Sequence, residues 1–222
     1  MKKSKFLGVI MIAVTALFIL SLAIAVPIVF RPFYYWHINA LDLPQQTGFS
    51  YQQIRTAYDE MLDFCFGLRS QFSTGDLRFS ESGMLHFIDV RGLFLLDLAV
   101  LAVTTLILLG THLLRKKNIV EPYRFNGHTP GYYGAELLAF IFILITLLSL
   151  GNFDRTFVIF HKIFFPGKTN WIFDPRYDQI IDVLPEVFFR NCAIAIVTIL
   201  IGLCVYFIVR DYEIRKRENT TV

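Results

Sequence analysis

Two short segments bring histidine close to other ionisable side chains. In MLHFIDVRGLF (84–94), His86, Asp89 and Arg91 fall within six positions. In RTFVIFHKIFFPG (155–167), His161 and Lys162 sit among phenylalanines. Imidazole titrates near pH 6.5, so a pair of histidines suits general acid/base work near neutrality. Arg91 and Lys162 each lie close in sequence to a candidate histidine, and either could stabilise a developing oxyanion. On a helix, His86, Asp89 and Asp97 share one face within about 60° of each other, with Asp97 about two turns beyond Asp89. A lone His86 would ordinarily be an interfacial residue bonded to Asp89 or a carbonyl. A second histidine in a similar aromatic setting favours chemistry. Two histidines with scattered aspartates lack the spacing of an HExxH site, so no metal is expected.

The other candidates are plainer. His37, His112 and His128 fit interfacial or loop roles. There is no GxSxG elbow, and Cys65 has no base beside it in sequence. Cys192 and Cys204 lie in an apolar run, and the cysteines form no spaced pair, so neither a disulfide framework nor a cysteine zinc site is indicated. If the chemistry is acyl transfer, the nucleophile has to arrive with the substrate.

What must hold these groups is apolar. Of the 222 residues 55% are hydrophobic, 23 are Phe, and only 18% are charged. One soluble core of this size cannot absorb so much apolar surface, which points to lipid as the second solvent. The net charge of +3 is too small to suggest a nucleic-acid partner. Four apolar stretches, about 6–30, 92–114, 134–153 and 187–209, are each close to the roughly 20 residues a membrane-crossing helix needs. The expected fold is therefore an all-α membrane protein over 1–222, a single integral domain. Two extracytoplasmic loops, 31–91 and 154–186, would form a small, mostly helical cap. The first stretch resembles a signal peptide, but its apolar part is longer than the usual one and reads as an uncleaved anchor.

Charge gives the direction. Lys2, Lys3 and Lys5 precede the first span, Arg115, Lys116, Lys117 and Arg124 lie in the 115–133 loop, and Arg210, Arg215, Lys216 and Arg217 follow the last. The positive-inside rule then puts both termini and the 115–133 loop in the cytoplasm of a multi-pass cell-membrane protein, with His86 and His161 at the outer leaflet. Residues 33–36 (FYYW) read as an interfacial belt. In the first outer loop, 50–66 has helical periodicity, a Ser50/Gln53 capping box and a stop at Gly67. In the second, Phe153, Phe157, Phe160 and Phe164 share a face of an interfacial helix ending at Pro166-Gly167, and NWIFDP (170–175) is a turn with an aromatic anchor.

SESGMLHFIDVRGLF (80–94) and FHKIFFPGKTNWIFDP…LPEVFF (160–189) resemble the two outer-loop signatures of the lipoprotein intramolecular transacylases of Gram-positive bacteria. The four-span layout is similar over nearly the whole chain. The resemblance implies a diacylglyceryl lipoprotein substrate within membrane lipid. The acyl chain on its sn-2 ester would move to the α-amino group of the N-terminal cysteine, giving a lyso-form lipoprotein. It also implies that His86 and His161 are the functional pair. Because the amine and ester belong to one molecule, no enzyme nucleophile is required, and ester-to-amide exchange runs downhill without a cofactor. On this reading His161 is the base, His86 the acid, and Asp89 a residue that orients His86. The rival is a non-enzymatic assembly factor or partner-binding subunit, in which both histidines are packing. Acyl migration in a synthetic diacylated lipopeptide by the purified protein alone separates the two.

Overall fold

The computed structural model describes residues 3–149 and 151–220. Lys2 and Leu150, each part of an expectation above, lie outside them. The chain is helical nearly throughout. Among the described residues four helices are long and apolar enough to cross a membrane: α1 (Lys5–Val29), α5 (Glu81–Lys116), α6 (Pro130–Ser149) and α9 (Glu186–Thr220). Between them come α2 (Pro32–Ala40), α3 (Leu43–Thr47), α4 (Tyr51–Cys65), α7 (Phe153–Phe164) and α8 (Ile180–Val183). Two short strands, β1 (Lys3–Ser4) and β2 (Glu121–Pro122), pair in parallel. Each long helix overlaps one expected span. Helix α5 starts eleven residues before the apolar run, and α9 continues eleven beyond its own. Hydropathy marks where a helix is greasy, whereas helix ends are set by caps.

The helices build two compact units. The first comprises Met1–Val26, Leu98–Leu148 and Ala195–Val222. Its core is Ile19, Ala23, Ala135, Leu138, Leu200 and Cys204. A methyl group at Gly134 would come within 2.6 Å of the Ile12 carbonyl oxygen, so a residue without a side chain lets α6 pack closely on α1. Outside this core the surface stays apolar: Leu106 is 69% exposed, Phe140 69% and Leu148 77%, as a lipid-facing surface requires. His128, expected to be a plain loop residue, donates from Nδ1 to the buried Asp211 at 2.7 Å and stacks on Tyr132, which anchors the loop to α9. His112 is exposed.

The second unit comprises Pro27–Asp97 and Ser149–Ile194, and it holds both candidate histidines. Its core gathers Tyr34, Ile38, Ile54, Tyr58, Leu62, Phe87 and Phe188 from α2, α4, α5 and α9. Tyr34 departs from the interfacial-belt reading. It is fully buried, stacks on Tyr58 at 3.8 Å and donates its hydroxyl to the Val183 carbonyl. Trp36, 63% exposed, does behave as a belt residue. Helix α4 carries the expected Ser50/Gln53 capping box. Arg31, at the start of α2, pairs with both Asp59 and Asp63, which fastens that end of α2 to α4. His37 is fully buried and satisfied, donating from Nδ1 to the Phe33 carbonyl and accepting from Asn191 at Nε2.

Candidate active site

His86 owes its position to how α5 begins. Ser80, just before the helix, donates from its backbone N–H (2.7 Å) and its hydroxyl (2.9 Å) to Asp178, while the Ser80 hydroxyl accepts from the Gly83 N–H. Asp178 is buried, so these bonds fix the first turn of α5 to the 174–179 turn. Gly83 is dictated by the same contact: a Cβ there would stand 2.3 Å from Asp178 Oδ1 and 3.1 Å from Phe173. His86 follows three residues later, 5% exposed.

His161 sits in the last turn of α7. That helix is opened by Asn152, whose side chain accepts from the Arg155 N–H at 2.9 Å. His161 Nδ1 bonds the Phe157 carbonyl, one turn back, at 2.8 Å. A carbonyl only accepts, so in the neutral ring the proton is on Nδ1 and Nε2 keeps its lone pair. The residue is 6% exposed. Burial pushes its imidazole below the ordinary histidine range, partly opposed by the bond to Phe157.

The two imidazoles, 75 residues apart in sequence, lie with ring centroids 5.7 Å apart and planes inclined by 35°. Aromatic rings surround them. Phe165 packs edge-on to His86 at 4.9 Å and lies 5.7 Å from His161, Phe173 is 5.5 Å from His86, and Trp171 stacks on His161 at 4.8 Å. Such walls exclude water and strengthen whatever electrostatic interactions form between them.

The supporting charges are placed differently from the expectation. Asp89 makes no hydrogen bond to His86 in this structure. Its carboxylate accepts from Lys168 Nζ at 2.5 Å and Asn170 Nδ2 at 3.1 Å, and so tethers the loop that carries Trp171. The reason is reach: both partners come from the loop after α7, which sequence spacing along α5 cannot reveal. His86 Nδ1 is buried with no hydrogen-bond partner among the described residues. Arg91 turns to the Arg69 carbonyl at 3.2 Å and lies over the Phe64 ring, and Lys162 is exposed. Cys65 is fully buried, and burial pushes its thiol up to about 12, which removes it as a nucleophile. Among the described residues no three His, Cys, Asp or Glu side chains gather closely enough to hold a metal ion. Lys168, Asn170, Trp171, Phe165, Phe173 and Asp178 were not singled out from sequence. Five of them lie in the FHKIFFPGKTNWIFDP signature that carries the resemblance, three of those in the NWIFDP turn, while Asp178 has no signal in the sequence.

Four bilayer-length helices define an integral, multi-pass membrane protein. The sequence profile described as lipoprotein intramolecular transacylase Lit matches residues 9–189, and the chain belongs to that family. It is therefore an enzyme, an acyltransferase working within a lipoprotein. Among solved structures it is similar to the membrane-integral lipoprotein intramolecular transacylase Lit from Bacillus cereus, at 25% identity and a TM-score of 0.82, with 98% of this chain and 97% of that one covered. Two further structures of that protein, one with a histidine replaced by arginine and one by alanine, match at a TM-score of 0.77 and 25% identity; the first covers 98% of this chain, the second 97%, and each covers 94% of its own chain. No curated protein sequence matches.

Proposed function

We propose that this transacylase isomerises a diacylglyceryl lipoprotein, moving the sn-2 acyl chain to the α-amino group of the N-terminal cysteine, with His86 and His161 as the proton-transfer pair. The observation that carries the reading is two buried imidazoles 5.7 Å apart, one of them with its Nε2 lone pair left available by the bond from Nδ1 to Phe157. The neutral amine nitrogen attacks the ester carbonyl carbon, forming the C–N bond. His161 Nε2 takes a proton from that nitrogen. The bond between carbonyl carbon and glycerol oxygen then breaks, and the proton taken by His161 is returned through His86 to the departing oxygen, so that both imidazoles end in the protonation states in which they began. The net change is one acyl group moved from oxygen to nitrogen and one proton moved the other way, with no cofactor consumed.

The cyclic transition state has about eight members and is floppy in solution, so holding it in an attack geometry is where a protein helps most, by up to roughly 7–11 kcal/mol. Proton transfer by each histidine adds about 10²–10⁴ in rate. The basic residues flanking the spans support cytoplasmic termini, with the pair at the outer leaflet. Arg91 and Lys162 are less favoured as oxyanion donors, since one is engaged with Arg69 and the other is exposed.

The test is the purified protein with a synthetic diacylated lipopeptide and no other component. Tandem mass spectrometry should find a product of unchanged mass with its acyl chain on nitrogen. His86→Ala and His161→Ala should each abolish it while still inserting in the membrane. Turnover at the wild-type rate in either variant removes that histidine from the reaction.

A further inference from the structure

Beside the histidine pair one side chain is half satisfied. Asn170 donates through Nδ2 to Asp89 Oδ2 at 3.1 Å, yet its amide oxygen Oδ1 is buried and has no hydrogen-bond partner among the described residues. Exchanging the two ends of the amide would not help. Asp89 is ionised against Lys168 and can only accept, so the NH₂ end must face it and the oxygen must point elsewhere. A buried, unpaired carbonyl oxygen is costly, and native proteins rarely keep one without a use. Its place is informative. Asn170 holds Asp89, one helical turn beyond His86, and directly precedes Trp171, which stacks on His161. The second buried orphan is Nδ1 of His86 itself.

We infer that Asn170 Oδ1 is a substrate-binding group that accepts a hydrogen bond from the α-amino group of the lipoprotein's N-terminal cysteine and aims its lone pair at the ester carbonyl. This rests on the histidine-pair reading and adds the recognition of the nucleophile. An amide oxygen can only accept, so its ligand must bring an N–H or O–H. At the reacting end of the substrate both esters offer only acceptors. The donors are the amine and the peptide N–H that follows it. An acceptor is also what the amine can use throughout the reaction: it takes one N–H, leaves a second for His161, and leaves the lone pair free for attack.

Two unreactive lipopeptides test this, both with an ether in place of the sn-2 ester, one with the α-amine and one without it. Their affinity for full-length purified enzyme is read by displacement of a fluorescent lipopeptide. Wild-type enzyme should bind the amine-bearing analogue at least about tenfold more tightly, since the hydrogen bond to Asn170 alone, about 1.4 kcal/mol, gives that factor. In Asn170→Leu this preference should fall about tenfold, to what the hydrogen bond to His161 alone supplies, while affinity for the amine-free analogue changes little. A purely structural Asn170, tying its loop to Asp89, would weaken both analogues equally and leave the preference intact, which overturns the inference. So does equal binding of the two analogues by wild-type enzyme, a measurement that holds even if the variant does not fold. Turnover in His86→Ala or His161→Ala would sink the histidine pair, yet the amine preference and its dependence on Asn170 would still be read separately.

Discussion

Gly83→Ala is a one-carbon change that should disable the enzyme at a distance from the reacting atoms. The added methyl would stand 2.3 Å from Asp178 Oδ1, so the carboxylate must move. Asp178 is buried and holds Ser80 through two bonds, at 2.7 and 2.9 Å. Hydrogen bonds to a charged group contribute roughly 1.5–3 kcal/mol each. Losing one and stretching the other costs about 2–4 kcal/mol, a large part of the roughly 5–15 kcal/mol that holds a typical domain together. The loss falls on the first turn of α5, three residues before His86. A displacement of about 1 Å in a reacting group costs on the order of 100-fold in rate. Turnover of a diacylated lipopeptide should fall by about that factor, with a lower unfolding temperature in detergent. Asp178→Ser removes the obstacle and the bonds together, so adding Gly83→Ala to it should cost little more. A Gly83→Ala enzyme with wild-type turnover and melting, or one whose defect adds in full to that of Asp178→Ser, would refute the argument.

Other perturbations follow from the same geometry. Burial lowers the His161 pKa, so its imidazole stays neutral to a more acidic pH than a free one: followed by NMR on the purified enzyme it should titrate below pH 6.5, and titration at or above that value would contradict it. The sign for stability agrees, since a depressed histidine pKa gives stability that is present above the unfolded value and lost as pH falls towards the folded one. Trp171→Ala removes the ring stacked on His161 and should slow turnover about tenfold, with Trp171→Phe retaining most of the rate; equal rates in all three would make the stacking irrelevant. Asp89→Asn should lower turnover several-fold, less than loss of either histidine, because it loosens the Lys168–Asn170 loop and leaves both rings in place; an unchanged rate would reduce Asp89 to packing. Cys65→Ala should remain active and form no acyl-enzyme, and a trapped thioester on Cys65 would overturn the mechanism.

The long helices were readable because lipid demands roughly 20 apolar residues in a row, a signal that needs no tertiary information. Their ends were not, because α5 starts where Ser80 meets Asp178, 98 positions away. His86 and His161 could be chosen from type and surroundings, but their approach to 5.7 Å depends on two loops closing on each other. Asp89 shows the limit of one-helix reasoning. It sits one turn from His86, as periodicity requires, yet Lys168 and Asn170 arrive from the far loop and take its carboxylate. Tyr34 fails as a belt residue for a similar reason: Tyr58 on α4 offers it a stacking partner that an aromatic run alone does not disclose.

Centrally, two imidazoles act as a unit in one acyl transfer, His161 taking the proton from nitrogen and His86 returning it to oxygen. A double-mutant cycle on the purified enzyme, with His86→Ala, His161→Ala and the combined variant assayed on one diacylated lipopeptide, tests it most directly. Residues that act as a unit are not additive, so the combined variant should be no slower than the slower single. Two partial losses that multiply in the combined variant would mean that the histidines act separately, and the account would fail.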